Sequence, residues 1–193
     1  MNPDLLKGRQ VVGTEGYILG EVDGFDVDPT VWQAVAFYVS LSEDAVAELG
    51  FKKPFLRKIV ICLPTRLIKE VGDIITLKEP IRNLKDITEK EICVDYAKLD
   101  GKRVVSAKGY VVGDVEGLDV EVGSWQVKGL EVGLTDDAAS RLGFKRPFLS
   151  KVVVIIPSEV VVEVGNFVTL DKAIEDLASL VECIKSCQRQ DKS

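Results

Sequence analysis

The chain contains one long sequence twice. Residues 8 to 84 align with residues 101 to 177 without a gap, so GRQVVGTEGYILGEVDGFDV corresponds to GKRVVSAKGYVVGDVEGLDV, and GFKKPFLRKIVICLP to GFKRPFLSKVVVIIP. Solenoid repeats are about 20 to 50 residues long and need neighbours to bury their apolar faces, whereas a longer repeat can enclose its own core. The repeat therefore predicts two small tandem domains.

The domain boundaries and the broad class follow from the repeat and the composition. We expect a first domain at 1–84, a connecting segment at 85–98, a second domain at 99–172, and a C-terminal helix and tail at 173–193. No apolar run is long enough for a transmembrane helix, and MNPDLLKGRQ lacks the features of a signal peptide, which predicts a cytoplasmic protein. A net charge of -6 argues against a nucleic-acid ligand.

The strand pattern of each repeat indicates a small β-barrel. Five or six short apolar strands alternate with glycine turns, and Gly20 and Gly24 of the second strand recur as Gly113 and Gly117. Glycine inside a strand is typical of a sharp bend or of a close approach between backbones, and both occur at barrel corners. The predicted fold is therefore mainly β, with two tandem barrels and short helices.

The third strand separates a common face from a variable one. Phe37, Val39 and Leu41 share one face, and residues of the same character follow in the second repeat, which predicts that this face forms the core. On the opposite face Tyr38 corresponds to Glu131. A buried charge needs a partner, so we expect this face to be partly solvated in the second repeat.

Two kinds of helix are predicted. SEDAVAELG and TDDAASRLG each begin with Ser or Thr and end with Gly, which is typical of a capped helix of about two turns. The second kind is an amphipathic C-terminal helix in DKAIEDLASLVECIKSCQRQ that packs on its own barrel. Its apolar face would comprise Ile174, Leu177, Val181 and Ile184.

The chemistry of the side chains argues against an enzyme. The chain has no His, which excludes Ser-His-Asp triads, Cys-His pairs and His-ligated metal sites, and we predict no catalytic residue, cofactor or metal. Acidic residues do recur, and we interpret them as the solvated side of a strand, although a metal or acid-base site could use them. They are Glu21, Asp23, Asp26 and Asp28, with Asp114, Glu116, Asp119 and Glu121.

The four cysteines do not follow the repeat. Cys62 aligns with Ile155, and Cys93 lies in the connecting segment. Cys183 and Cys187 are four residues apart and would share a helix face, where they could form half of a metal site. We expect buried or reduced thiols instead.

Two repeated features suggest protein recognition. GFKKPFL and GFKRPFL place aromatic residues beside cations, a combination suited to interfaces, although the phenylalanines could equally plug the barrel. A Trp followed by Gln begins the variable face in each repeat and could also be buried. The predicted protein interface comprises Trp32, Tyr38, Phe51, Lys52, Lys53, Phe55, Trp125, Phe144, Lys145, Arg146 and Phe148.

Several motifs resemble the PRC-barrel family. They are GRQVV, GYILGEV and CLP with EVGD in the first repeat, and GKRVV, GYVVGDV and IIP with EVGN in the second. The inserted acidic helix and the following KPFL are similar to the archaeal branch, which includes CdpB-type cell-division proteins linked through SepF to the FtsZ ring. The resemblance covers both repeats and marks the fold without indicating any chemistry.

The resemblance implies a non-enzymatic adaptor. Its expected partners are SepF-like proteins or other PRC-barrel proteins, in a homo-oligomer or hetero-oligomer that reaches the division site through a partner. The alternatives are an RNA-processing or ribosome factor of the RimM type, and a metal-binding protein that uses the repeated carboxylates or Cys183 and Cys187. The RimM alternative is weaker because the second module here is another barrel.

Overall fold

A computed structural model describes residues 1–52, 58–85, 99–145 and 150–186. The chain divides into two compact units. The first unit comprises Pro3–Tyr96 together with Val122–Trp125, and the second comprises Met1–Asn2, Ala97–Glu121 and Gln126–Ser193. No helix among the described residues has the length and apolarity needed to cross a lipid bilayer.

The first unit is built on a mixed sheet of six strands in the order β4-β3-β2-β1-β6-β5. Neighbouring strands are antiparallel except β1 and β6, which are parallel. The strands are β1 (Gln10–Val12), β2 (Ile18–Asp28), β3 (Gln33–Leu41), β4 (Val60–Pro64), β5 (Ile68–Val71) and β6 (Ile75–Leu77). Helix α1 (Glu43–Glu48) follows β3, and short 3-10 turns lie at Pro3–Leu6, Thr65–Leu67 and Ile81–Leu84.

The second unit repeats this arrangement and extends it by one strand, in the order β11-β12-β7-β8-β9-β10-β13. Its strands are β7 (Arg103–Val105), β8 (Val111–Val120), β9 (Val127–Leu134), β10 (Val153–Pro157), β11 (Val161–Val164), β12 (Val168–Leu170) and β13 (Glu182–Lys185). Its helices are α2 (Asp136–Arg141) and α3 (Ile174–Leu177), with a 3-10 turn at Ser158–Val160.

The mainly β fold is confirmed, but two finer features differ from the prediction. Within the described strands each sheet is an open row, and no pairing joins its two outer strands. The predicted C-terminal helix is wrong over residues 178–186: α3 has four residues, and the described chain then forms β13, which pairs antiparallel with β10. A strand at this position pairs with the otherwise exposed edge of β10, which stabilises the sheet. The helical spacing of four apolar residues contains no information about that pairing.

The predicted core face of the third strand is confirmed. Phe37, Val39 and Leu41 are buried on β3, as are their counterparts Leu130, Val132 and Leu134 on β9. On the opposite face of β9 Val127 and Gly129 are buried, so the expectation of a partly solvated face is wrong except at Glu131. Glu131 is half-buried and accepts a hydrogen bond of 2.7 Å from the Asn2 side chain. The charge of Glu131 on the variable face is therefore stabilised by a hydrogen-bond partner, Asn2.

The glycines of β2 and β8 allow a close approach of two backbones. A Cβ atom on Gly20 would lie 1.9 Å from the Ser40 carbonyl oxygen, and one on Gly113 would lie 2.2 Å from the Gly133 oxygen. Strand register also shifts before Gly24 and in the same place in β8. The prediction that glycine permits a bent, closely packed strand is confirmed at these positions.

One segment of the second repeat belongs to the first unit. Val122–Trp125, which joins β8 to β9, is placed with the strands of the first repeat. The Trp125 carbonyl accepts a hydrogen bond of 2.8 Å from the Ala34 amide, and its ring meets the Phe37 ring edge to face, with centroids 5.3 Å apart. The core of the first unit is thus completed by an aromatic residue far away in sequence.

Candidate functional site

The first unit has an open groove beside the start of β2. Its volume is about 640 Å³, and it lies between the turn before β2, the first turns of α1 and the 3-10 turn after β6. We call it the Tyr17 groove. It is lined by Glu15, Gly16, Tyr17, Ile18, Ser42, Asp44, Ala45, Glu48, Ile81 and Arg82.

Local hydrogen bonds hold the walls of the Tyr17 groove in place. Ser42 is the N-cap of α1: its Oγ accepts from the Ala45 amide at 3.1 Å and donates to the Ile18 carbonyl at 2.9 Å. The Ile81 amide donates to Glu15 Oε1 at 3.2 Å. These hydrogen bonds connect the helix, the strand and the 3-10 turn around the groove. The Ser cap predicted from the sequence is confirmed.

The Tyr17 groove exposes apolar surface beside carboxylates. Tyr17 is 68% exposed and Ile18 42% exposed. Within the described residues, no hydrogen bond or ion pair involves the side chains of Tyr17, Asp44 or Glu48. An exposed tyrosine among unpaired carboxylates offers stacking, apolar contact and negative charge at one place.

The second unit has a smaller groove at the equivalent position, with a volume of about 300 Å³. Its lining residues Lys108, Gly109, Tyr110, Arg141, Ile174 and Glu175 align one for one with Glu15, Gly16, Tyr17, Glu48, Ile81 and Arg82. We call it the Tyr110 groove. The two grooves have the same frame and different charges.

The side chain of Arg141 lines the Tyr110 groove and lies over its tyrosine ring. Its guanidinium carbon lies 4.6 Å from the centre of the Tyr110 ring, and it forms ion pairs with Asp137 at 3.6 Å and Glu175 at 3.9 Å. The Tyr110 hydroxyl donates a hydrogen bond to Asp137, which raises the pKa of Tyr110 above its usual value. The charged groups around Tyr110 are therefore paired with residues of the same unit.

The predicted interface residues on the variable face have different environments. Trp32 and Tyr38 are half-buried, and the Tyr38 hydroxyl donates to Asp26 at 2.8 Å. Trp125 is only 6% exposed and packs on Phe37 in the first unit, so it contributes to the core there. Trp125 is therefore a core residue and not part of an exposed protein interface, which is the alternative that the sequence left open.

The GFK segments are described only in part. Phe51 is half-buried, and Lys52 and Lys145 are exposed. Phe144 is buried, which agrees with the alternative that it fills the core. It is therefore not an exposed interface residue in this structure. The remaining predicted interface residues lie outside the described part of the chain: Lys53, Phe55, Arg146 and Phe148.

Four of the eight repeated carboxylates are exposed, three are half-buried (Asp28, Asp114 and Asp119) and one is buried. Glu21, Asp23 and Glu116 are exposed, whereas Asp26 is buried and accepts the hydrogen bond from Tyr38. Thr30 donates to Asp28 and lowers the pKa of that carboxyl group. In the described ranges, no three Cys, Asp or Glu side chains converge as a metal-binding group.

Of the expectation of buried or reduced thiols, burial applies to Cys62, which is 5% exposed, but neither described cysteine is reduced. Cys62 and Cys183 are in disulfide bonds, so neither sulfur is available as a thiolate metal ligand. Cys183 also lies on β13 and not on a helix, because the segment pairs with β10. Cys93 and Cys187 lie outside the described residues.

Sequence reasoning missed the Tyr17 groove. The signal was present: GYILG and GYVVG each place a Tyr after a turn glycine, and position 48 is Glu where position 141 is Arg. Only the fold brings these residues beside the helix cap.

Compared with known proteins, the chain matches no protein-family model and no curated protein.

Proposed function

We propose that this protein is a non-enzymatic adaptor that binds other proteins through non-identical surfaces on its two units. The observation that supports the proposal best is the contrast between the grooves. The Tyr17 groove carries unpaired carboxylates, whereas in the Tyr110 groove Arg141 lies over the tyrosine ring and forms ion pairs with two carboxylates. The two units therefore present different surfaces, one with unpaired carboxylates beside a tyrosine and one in which an arginine already lies on the tyrosine.

The composition of the Tyr17 groove suits a protein ligand. Tyrosine is enriched at binding hot spots because it buries a large rigid ring at a small cost in conformational entropy. Tyr17 and Ile18 are exposed side by side, and Asp44 and Glu48 follow along the groove. These residues supply an apolar centre with a charged rim, which is the usual anatomy of an interface.

The cellular setting is proposed from the sequence resemblance. We place each unit in the PRC-barrel type, and the protein in archaeal FtsZ-based cell division, with a SepF-like or PRC-barrel protein as its partner. The motifs GYILGEV and GYVVGDV and the acidic helix before KPFL support this placement. Under this proposal the protein is cytoplasmic and reaches the division site through its partner.

A binding experiment tests the adaptor function. The purified full-length chain is used as bait for recombinant SepF-like and PRC-barrel proteins, and sedimentation velocity measures the mass of any complex. The expected result is a complex with at least one candidate that weakens when Tyr17 is replaced by Ala. A monomer that binds none of them refutes the proposal, and RNA retained until high salt would favour the RNA-factor alternative.

A further inference from the structure

We propose that the Tyr17 groove binds an arginine side chain from a segment of a partner protein, in the way that the Tyr110 groove holds its own Arg141. The proposal rests on the adaptor function and names the chemistry of the ligand at its open site. The two grooves differ at one aligned position: in the filled groove Arg141 of the same unit lies over Tyr110, and in the open groove the corresponding residue is Glu48.

The filled groove shows how the site holds a guanidinium group. Arg141 lies over the Tyr110 ring at 4.6 Å and contacts carboxylates of Asp137 and Glu175 at 3.6 and 3.9 Å. A flat cation over an aromatic face, with carboxylates at its edge, is a favourable arrangement for arginine. The guanidinium comes from α2 of the same unit, so no external ligand is needed there.

The open groove keeps the receptor groups and lacks the arginine. Tyr17 corresponds to Tyr110, and Asp44 corresponds to Asp137. Both helices begin at a capping hydroxyl that accepts from the third residue after it at 3.1 Å, so Asp44 occupies the same helical position as Asp137. The position of Arg141 is Glu48, which replaces the internal guanidinium with a carboxylate.

The charge of the Tyr17 groove favours a cationic ligand. Its lining includes three carboxylates, from Glu15, Asp44 and Glu48, and one guanidinium, from Arg82, for a net charge of -2. No ion pair among the described residues joins Arg82 to these carboxylates. The Tyr110 groove has two cations, Lys108 and Arg141, against two carboxylates, Glu175 and the neighbouring Asp137, so the open groove is the acidic one.

Arginine is favoured over lysine by the shape of the site. A guanidinium group stacks on a tyrosine ring and can bond two carboxylate oxygens at once, whereas an ammonium group is a compact, strongly hydrated charge. The groups are solvent-exposed, and each contact is correspondingly weak. For a single arginine in a short peptide we expect a dissociation constant of about 1 to 10 mM.

The probe is an acetylated and amidated Gly-Ser-Arg-Gly-Ser peptide, with Lys and Gln versions as controls. Amide chemical shifts of the full-length ¹⁵N-labelled protein follow the titration. Saturable shifts are expected in residues 15–18 and 42–48, with the Arg peptide bound at least about threefold more tightly than the Lys peptide. Absence of shifts up to about 50 mM Arg peptide, or equal shifts with the Gln peptide, refutes the proposal.

Two charge exchanges test the role of position 48 against its counterpart. Glu48→Arg copies the filled groove into the first unit and should weaken Arg-peptide binding at least about tenfold, through self-occupation and charge. Arg141→Glu empties the Tyr110 groove and should create a second set of shifts at residues 108–111. If Glu48→Arg leaves the affinity unchanged, the proposal is refuted. Asp44→Asn replaces an exposed carboxylate with a neutral isostere. It should also weaken Arg-peptide binding, and an unchanged affinity would count against the proposal in the same way.

The outcomes separate this proposal from the adaptor function. If the Arg peptide binds but no division protein is captured, the arginine site stands and the assignment to cell division fails. If a partner is captured equally well by the natural chain and by Glu48→Arg, the adaptor function stands and the arginine site is refuted.

Discussion

Replacing Trp125 with Ala should destabilise the first unit, although position 125 lies in the second repeat. Trp125 is 6% exposed and packs edge to face on Phe37, itself 1% exposed. An aromatic side chain buries about 150–250 Å², which at about 25 cal/mol/Å² corresponds to about 4–6 kcal/mol. Alanine retains a part of this, so the expected loss is about 3–5 kcal/mol, as in other core substitutions of this kind.

The backbone contributes little to this difference. Trp125 has a φ of 61°, which is unfavourable for any residue with a Cβ atom, and Ala pays the same conformational cost as Trp. The hydrogen bond from the Ala34 amide to the Trp125 carbonyl also remains possible in the variant. The loss therefore measures the packing of the ring.

Urea unfolding and hydrogen exchange with mass spectrometry of the full-length chain measure the effect. Peptides from Gln33–Leu41 should lose protection in Trp125→Ala, and Trp125→Phe should retain most of it because an aromatic ring still meets Phe37. A loss below about 1 kcal/mol, or a loss of protection confined to Val127–Leu134, would contradict the assignment of this segment to the first unit.

Two further substitutions test local features of the fold. Gly20→Ala should cost more than about 2 kcal/mol in urea unfolding, because its Cβ would lie 1.9 Å from a backbone oxygen, whereas Gly24→Ala, with a nearest atom at 3.4 Å, should cost less than about 1 kcal/mol; equal losses would contradict the close approach. Ser42→Ala removes the N-cap acceptor of α1 and should lower thermal stability by about 1 kcal/mol, and Ser42→Asp, which can still cap the helix, should recover most of it.

Local patterns in the sequence predicted the parts of the fold that depend on local chemistry. The cap at Ser42 and the apolar face that includes Phe37 are set by a few neighbouring residues, and Gly20 meets Ser40 on the strand that follows directly in the chain. Trp125 could not be placed in this way, because its environment is a strand more than 80 residues earlier in the chain. The segment Glu182–Lys185 differs from the helix that its sequence predicts, because an edge strand gains its stability from pairing with β10 and not from its own periodicity.

The candidate site was only partly accessible from sequence for a similar reason. The alignment shows that Glu48 replaces the Arg141 of the other repeat, but a charge difference on a helix is usually a solvated one. The fold gives this difference a chemical role, because it brings Arg141 over the Tyr110 ring. Duplication thus supplied an internal control: the filled groove identifies the group that the open groove lacks.

The titration of Tyr110 tests whether the filled groove exists in solution. Its hydrogen bond to Asp137 raises the pKa of the phenol, an effect that the charge of Arg141 opposes more weakly. Because the folded-state pKa lies above the unfolded one, the stabilisation is complete below about pH 10 and is lost as pH rises through the folded pKa. Phenolate absorbance, taken as the difference between the natural chain and Tyr110→Phe, should show a midpoint above the usual tyrosine value. Asp137→Asn should lower that midpoint, and an unchanged midpoint would mean that Asp137 does not hold Tyr110 beneath Arg141.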